Sequence, residues 1–112
     1  MKPRRLRLAL LFCLAGSLPA SAAPERVRVV SDENFPPYIF LGADGAPEGY
    51  LVDLWKLWEK QTGIRVELTA TAWAEAQAMI GRGEADVIEA IYRTPAREGS
   101  YEFSQPYSTQ HI

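Results

Sequence analysis

The sequence predicts an α/β fold, a mostly parallel sheet flanked by helices. Two observations carry this. The apolar pattern beyond residue 25 switches repeatedly between period two and the helical period, in the order strand, helix, strand, helix, strand. The connections between these segments are short, and alternation of this kind builds parallel strands joined by helical crossovers. No internal repeat or low-complexity segment interrupts the order.

"RVRVVS", Arg26 to Ser31, alternates apolar and polar residues, is rich in valine, and reads as the first strand. Pro36 and Pro37 then forbid a helix. Asp44-Gly45 suits a tight turn, so Tyr38 to Leu41 and the approach to Tyr50 are expected to form a small hairpin or a looped excursion. "YLVDLWKLWEKQTG" is the strongest helix: Leu51, Leu54, Trp55 and Trp58 recur at the helical period, and Gly63 offers a left-handed stop. That stripe, both tryptophans included, is expected to be core. Asp53 in the first turn complements the helix dipole and reads as structural.

"IRVELTA", Ile64 to Ala70, is the second strand, and Thr71 is a candidate cap for the Ala-rich helix that follows. Gly81 or Gly83 ends that helix. Ala85 to Tyr92 is a near-continuous apolar run, expected to be a third strand buried on both faces. Glu84 and Asp86 read as a solvated turn.

In an open sheet, ligands bind beyond the carboxyl ends of the strands. Three segments fall there: Asp32 to Phe35, Thr69 to Trp73, and Tyr92 to Arg97. They hold the candidate ligand-binding residues Asp32, Phe35, Trp73, Tyr92 and Arg97. A guanidinium can hold a carboxylate with two bonds, so Arg97 is either a ligand clamp or a surface ion pair with Glu98, Glu102 or Glu89. Arg93 reads as a rim charge. Phe35 and Trp73 are pocket walls or core; Asp32 meets a ligand ammonium or caps a turn. Aromatics beside a fixed cation suit a small anionic or zwitterionic solute.

The chain has 112 residues, 12 basic and 14 acidic. Lys2, Arg4, Arg5 and Arg7 precede the apolar "LALLFCLAGSL" and the small residues Ala20 to Ala22. That order marks residues 1–22 as a secretory signal peptide; an uncleaved anchor is the alternative. A spanning helix needs roughly 20 apolar residues, and the run is shorter. Cleavage would leave eight basic and 14 acidic residues, a net charge of −6, and remove the lone cysteine, Cys13. An acidic surface argues against nucleic acid as a partner. The single histidine, His111, has no partner cluster. No catalytic triad, metal-ligand spacing or phosphate-binding glycine loop is present, so no cofactor, metal or enzymatic activity is expected.

Taken together, "VRVVSDENFPPYIF…EGYLVDLW", "WAEAQAMIGRGEADVI" and "RTPAREGSYEFSQPY" resemble the bacterial extracellular solute-binding proteins of family 3. The resemblance runs from about Val27 to Tyr107. It implies the type II periplasmic-binding-protein fold, two α/β lobes closing on a solute, with residues 26–112 matching the first lobe, truncated before the second. It implies Arg97 at the ligand carboxylate, Phe35 and Trp73 as aromatic walls, and Asp32 near the ligand ammonium. The sequence departs from the family's amino-acid binders at Glu89, Ala90 and Tyr92, where small hydroxyl residues are usual. In this it looks like versions of the domain that precede histidine kinases or diguanylate cyclases.

The expectation is therefore a periplasmic, non-catalytic binding module for a small polar, carboxylate-bearing solute, serving an ABC transporter. The alternatives are a ligand-sensing domain, a truncated nonfunctional fragment, and part of a dehydratase-like enzyme.

Overall fold

A computed structural model describes residues 24–109. The signal segment 1–22, Cys13 and His111 lie outside the described residues.

Strand β1 (Arg26–Asp32) is the centre of a three-stranded sheet, between β5 (Arg65–Thr71) and β6 (Val87–Ile88). Both pairings are parallel. Arg26 faces Arg65 at one end and Asp32 faces Thr71 at the other; Val29 and Val30 face Val87 and Ile88. Helix α1 (Tyr50–Thr62) connects to β5, and α2 (Trp73–Gly81) connects β5 to β6.

The core forms in two clusters. Val30 packs with Ala76 of α2 and with Ala85, against Trp73, Met79, Ile80 and Ile88. Ile39, Leu51 and Val52 form the other cluster, with Leu68 and Ala70 of β5 against them. Period-two spacing puts Leu68 and Ala70 on one face of β5.

Between β1 and α1 the chain makes a small antiparallel sheet of β2 (Asn34–Phe35), β3 (Ile39–Leu41) and β4 (Pro47–Glu48). The expected hairpin is β3–β4, turning at Asp44-Gly45, where the Asp44 carboxylate accepts the Ala46 amide at 3.0 Å and Gly45 has φ 79°. This sheet also caps α1. The carbonyls of Pro37 and Tyr38 accept the amides of Tyr50 (3.2 Å) and Leu51 (2.8 Å), two donors that a helix start leaves without an internal partner. The contact requires Gly49, since a Cβ there would lie 2.5 Å from the Tyr38 carbonyl oxygen. At the other end Gly63 takes the left-handed conformation and its amide returns to the Glu59 carbonyl, as the sequence predicts.

Four expectations are corrected. Thr71 does not cap α2: β5 stays paired with β1 through Thr71, and the cap position falls on Ala72, which has no side-chain bond to give. The third strand is two residues long rather than eight, and Val87 and Ile88 are only half-buried. It is cut short at Ala90, whose φ of 57° turns the chain away from the sheet. Asp86 is not merely solvated. Its carboxylate accepts the Arg28 amide and guanidinium at 2.9 Å, and the bonds from Arg28 lower its pKa to about 2. Glu84 likewise pairs with Arg82, at 2.8 Å.

The fourth concerns α1. Leu51 and Val52 are its buried residues. Leu54 and Leu57 are exposed, Trp55 and Trp58 half-buried. The periodic stripe lines a groove of about 900 Å³ together with residues 86–93 and 100–108.

Candidate functional site

Beyond the carboxyl ends of the strands lies a second cavity of about 210 Å³, lined by Asp32, Phe35, Trp73, Ala90, Tyr92 and Arg97. All five residues nominated from the sequence line it, and Ala90 is the sixth.

Each is placed by a local cause. Asp32 ends β1, and one of its carboxylate oxygens accepts the Asn34 amide at 3.1 Å, so it caps a turn and faces the cavity as well. Phe35 stacks on Tyr38, ring centroids 5.1 Å apart, and packs against the α1-side cluster. Trp73 opens α2 and packs on the cluster around Val30. Wall and core are thus one role for both rings: each is anchored in the core and shows a remaining surface to the cavity. Tyr92 is largely exposed and lines the rim.

Arg97 sits on α3 (Pro95–Glu98), a single helical turn. Pro95 takes the first helical position, where its missing amide costs nothing. The Thr94 carbonyl accepts the amides of Arg97 and Glu98. The turn directs Arg97 back over the strand ends: its guanidinium donates to the Tyr92 carbonyl at 2.9 Å and lies 5.9 Å from the centroid of the Trp73 ring.

None of the acids considered as an ion-pair partner holds it. Glu98 pairs with Arg93 at 2.9 Å, and the Glu89 carboxylate accepts the Trp55 indole N–H at 2.7 Å. The described residues include six arginines. Arg26, Arg28, Arg65, Arg82 and Arg93 each have a carboxylate partner, and Arg97 has none. The cavity therefore joins one guanidinium with donors to spare, one carboxylate and aromatic walls. That set can hold a small molecule carrying a carboxylate and an ammonium. No group of three or more His, Cys, Asp or Glu side chains suited to a metal ion occurs among the described residues.

Sequence reasoning treated Glu89 as a departure and gave Tyr107 no role. The structure buries Glu89 to 7 % exposure on the groove side, where Tyr107 and Trp55 donate to it. The signal was available: Glu89 is the one charged residue between Val87 and Tyr92.

The geometry defines a lobe of the type II periplasmic-binding-protein class. The chain belongs to the bacterial extracellular solute-binding proteins, family 3, whose pattern it matches over residues 27–112. It is 30 % identical over 90 residues to a probable histidine-binding protein of Neisseria gonorrhoeae, covering 80 % of this chain and 34 % of that one. Among solved structures it is similar to the second substrate-binding domain of a putative amino acid ABC transporter from Streptococcus pneumoniae. The TM-score there is 0.68 and the identity 28 %, over 75 % of this chain and 39 % of the other. A mutant of the arginine-bound form of domain 1 from TmArgBP is similar with a TM-score of 0.66 and 25 % identity, over 75 % of this chain and 66 % of that one. A histidine kinase sensor domain with similarity to periplasmic binding proteins gives a TM-score of 0.63 and 30 % identity, over 68 % and 33 %. The chain spans about a third of the length of the curated relatives it matches.

Proposed function

We propose that this chain is the first lobe, residues 26–112, of a non-catalytic periplasmic substrate-binding module for a small polar solute, exported by a signal peptide over residues 1–22. Its ligand is an amino acid or a related carboxylate. The solute's carboxylate pairs with Arg97, its ammonium faces Asp32, and its body lies against Phe35, Trp73 and Tyr92. One observation carries the reading: Arg97 is aimed into an aromatic-walled cavity and has no carboxylate partner among the described residues. A guanidinium with open donors can hold an anion from outside the chain through two parallel bonds. The arginine-bound domain 1 of TmArgBP supports the further point that one lobe can hold an amino acid without its companion.

Delivery to an ABC transporter is the output we favour, in keeping with the amino acid transporter domain to which the chain is similar. A sensor output is the second reading. It rests on Glu89, Ala90 and Tyr92, which depart from the small hydroxyl residues usual in the family's amino-acid binders, and on the similar kinase sensor domain. The experiment is a calorimetric titration of the chain with L-arginine, L-histidine, L-cystine and succinate. A saturable heat for at least one of them is expected. No heat from any at millimolar concentration overturns the reading.

A further inference from the structure

Helix α3 carries Arg97, yet it is a single turn, and a turn of four residues does not hold itself together in water. No side chain among the described residues caps its start. Two side-chain bonds cross it instead, in opposite directions. Arg97 reaches back and donates to the Tyr92 carbonyl at 2.9 Å. Arg93 reaches forward, and its Nε–H donates to a Glu98 carboxylate oxygen, also at 2.9 Å. The second bond ties the residue before the Thr94 cap position to the last residue of the turn. The Arg93 guanidinium is fixed from another side by Phe103, whose ring centroid lies 5.6 Å away.

The two bonds differ in what they use. The Arg97 bond takes one donor of the guanidinium that faces the cavity. Its acceptor is a backbone carbonyl, so its direction depends on the shape of residues 92–98. Neither Arg93 nor Glu98 lines the cavity. Their bond takes nothing from the site and closes residues 93–98 into a ring.

We propose that Arg93 and Glu98 are positioning residues for Arg97: their ion pair holds the turn in the shape that aims the guanidinium over the strand ends. This rests on the reading of Arg97 as the ligand clamp. A long side chain that is ordered before the solute arrives does not have to be ordered at binding. The paired side chains are 59 % and 50 % exposed, so they add little to global stability. Their effect is local, on the direction of one side chain.

Calorimetry with the tightest of L-arginine, L-histidine, L-cystine and succinate tests this, together with NMR of the ligand-free chain. Arg93→Ala should weaken binding about three- to tenfold, the scale set by ordering one long side chain. Glu98→Ala separates positioning from bare charge. If Arg93 and Glu98 act only through their charges, removing an acid near the site tightens carboxylate binding. If they act as a pair, Glu98→Ala weakens it about as much as Arg93→Ala does, and the double variant loses no more than either single one. Without any solute, the heteronuclear NOE of the Arg97 Nε–H should fall by about half in both single variants, while β1 and β5 amides keep theirs. A chain that binds none of the four solutes refutes the clamp, and the NOE then still decides whether the pair orders Arg97. Glu98→Ala binding as tightly as the parent or more so, or an Arg97 NOE unchanged in both single variants, overturns the proposal.

Discussion

Replacing Arg97 with alanine separates a ligand clamp from a structural residue, because the two roles predict different magnitudes in different assays. Its structural ties are one bond to the Tyr92 carbonyl and a long cation–aromatic contact with Trp73. Arg97 is only half-buried, so water replaces much of what is lost. A hydrogen bond contributes about 0.5–1.5 kcal/mol net and an exposed cation–π contact about 0.5–1 kcal/mol. Arg97→Ala should therefore lower unfolding stability by about 1–2 kcal/mol, measurable in a urea titration. Bonds to a charged ligand group contribute about 1.5–3 kcal/mol, so affinity for the tightest solute of the panel should fall roughly 10- to 150-fold. Arg97→Lys keeps the charge but loses the planar fork, and should fall between. Calorimetry on the three proteins makes the comparison. Affinity of Arg97→Ala within twofold of the parent would refute the clamp, and a stability loss alone would leave Arg97 as a brace for the Tyr92 turn.

Other perturbations follow from the same geometry. Gly49→Ala puts a methyl against the Tyr38 and Pro37 carbonyls and forces a non-glycine side chain at φ 120°; strain of about 1–3 kcal/mol and the loss of two capping bonds should together cost about 3–5 kcal/mol in chemical denaturation. Ala90→Gly relieves about 1–2 kcal/mol of left-handed strain and adds about 0.4–1 kcal/mol of unfolded-state freedom, so a net gain of about 0.5–1 kcal/mol is expected by the same measurement. Asp86 has a depressed pKa when folded, so its stabilising effect is present above its unfolded value of about 3.9 and is lost as pH falls toward about 2. Asp86→Asn should flatten the urea midpoint between those pH values, and the parent's slope should shrink in 1 M salt because the pair with Arg28 is solvent-accessible.

The elements most legible in the sequence end at residues with one conformational use. Gly63 and Asp44-Gly45 were expected to stop α1 and turn the hairpin, and they do. The third strand was overread because Ala85 to Tyr92 contains no breaker. Alanine at φ 57° leaves no mark in a hydropathy pattern. The α1 stripe failed differently. Periodicity shows which residues share a helix face, but not what covers that face, and here Leu51 and Val52 point into the core while Leu54 and Leu57 border a groove. One turn, "PARE", is shorter than any helical period, so α3 was beyond such a reading. The five candidate residues came from a rule about strand ends, which depends on topology rather than boundaries. The order of elements agrees with the structure, so the rule selects residues that share one cavity even though β6 is much shorter than expected.

The two arginines of "RTPARE" show how local geometry divides similar charges. Four residues apart on a continuous helix, Arg93 and Arg97 would share a face and compete for the same acids. The helix does not include Arg93: it begins at Pro95, after Thr94 in an extended conformation. Arg93 thus remains on the outer side, where Glu98 neutralises it and Phe103 stacks beneath it. Glu89, a buried acid, accepts instead from Trp55 and Tyr107. Each of these placements removes a carboxylate that could have satisfied Arg97. What remains beside Arg97 is a carbonyl, which uses one donor, and an indole face, which offers attraction without a hydrogen-bond acceptor. A guanidinium so placed gains most from an anion that brings two acceptors in one plane, and a solute carboxylate has that shape.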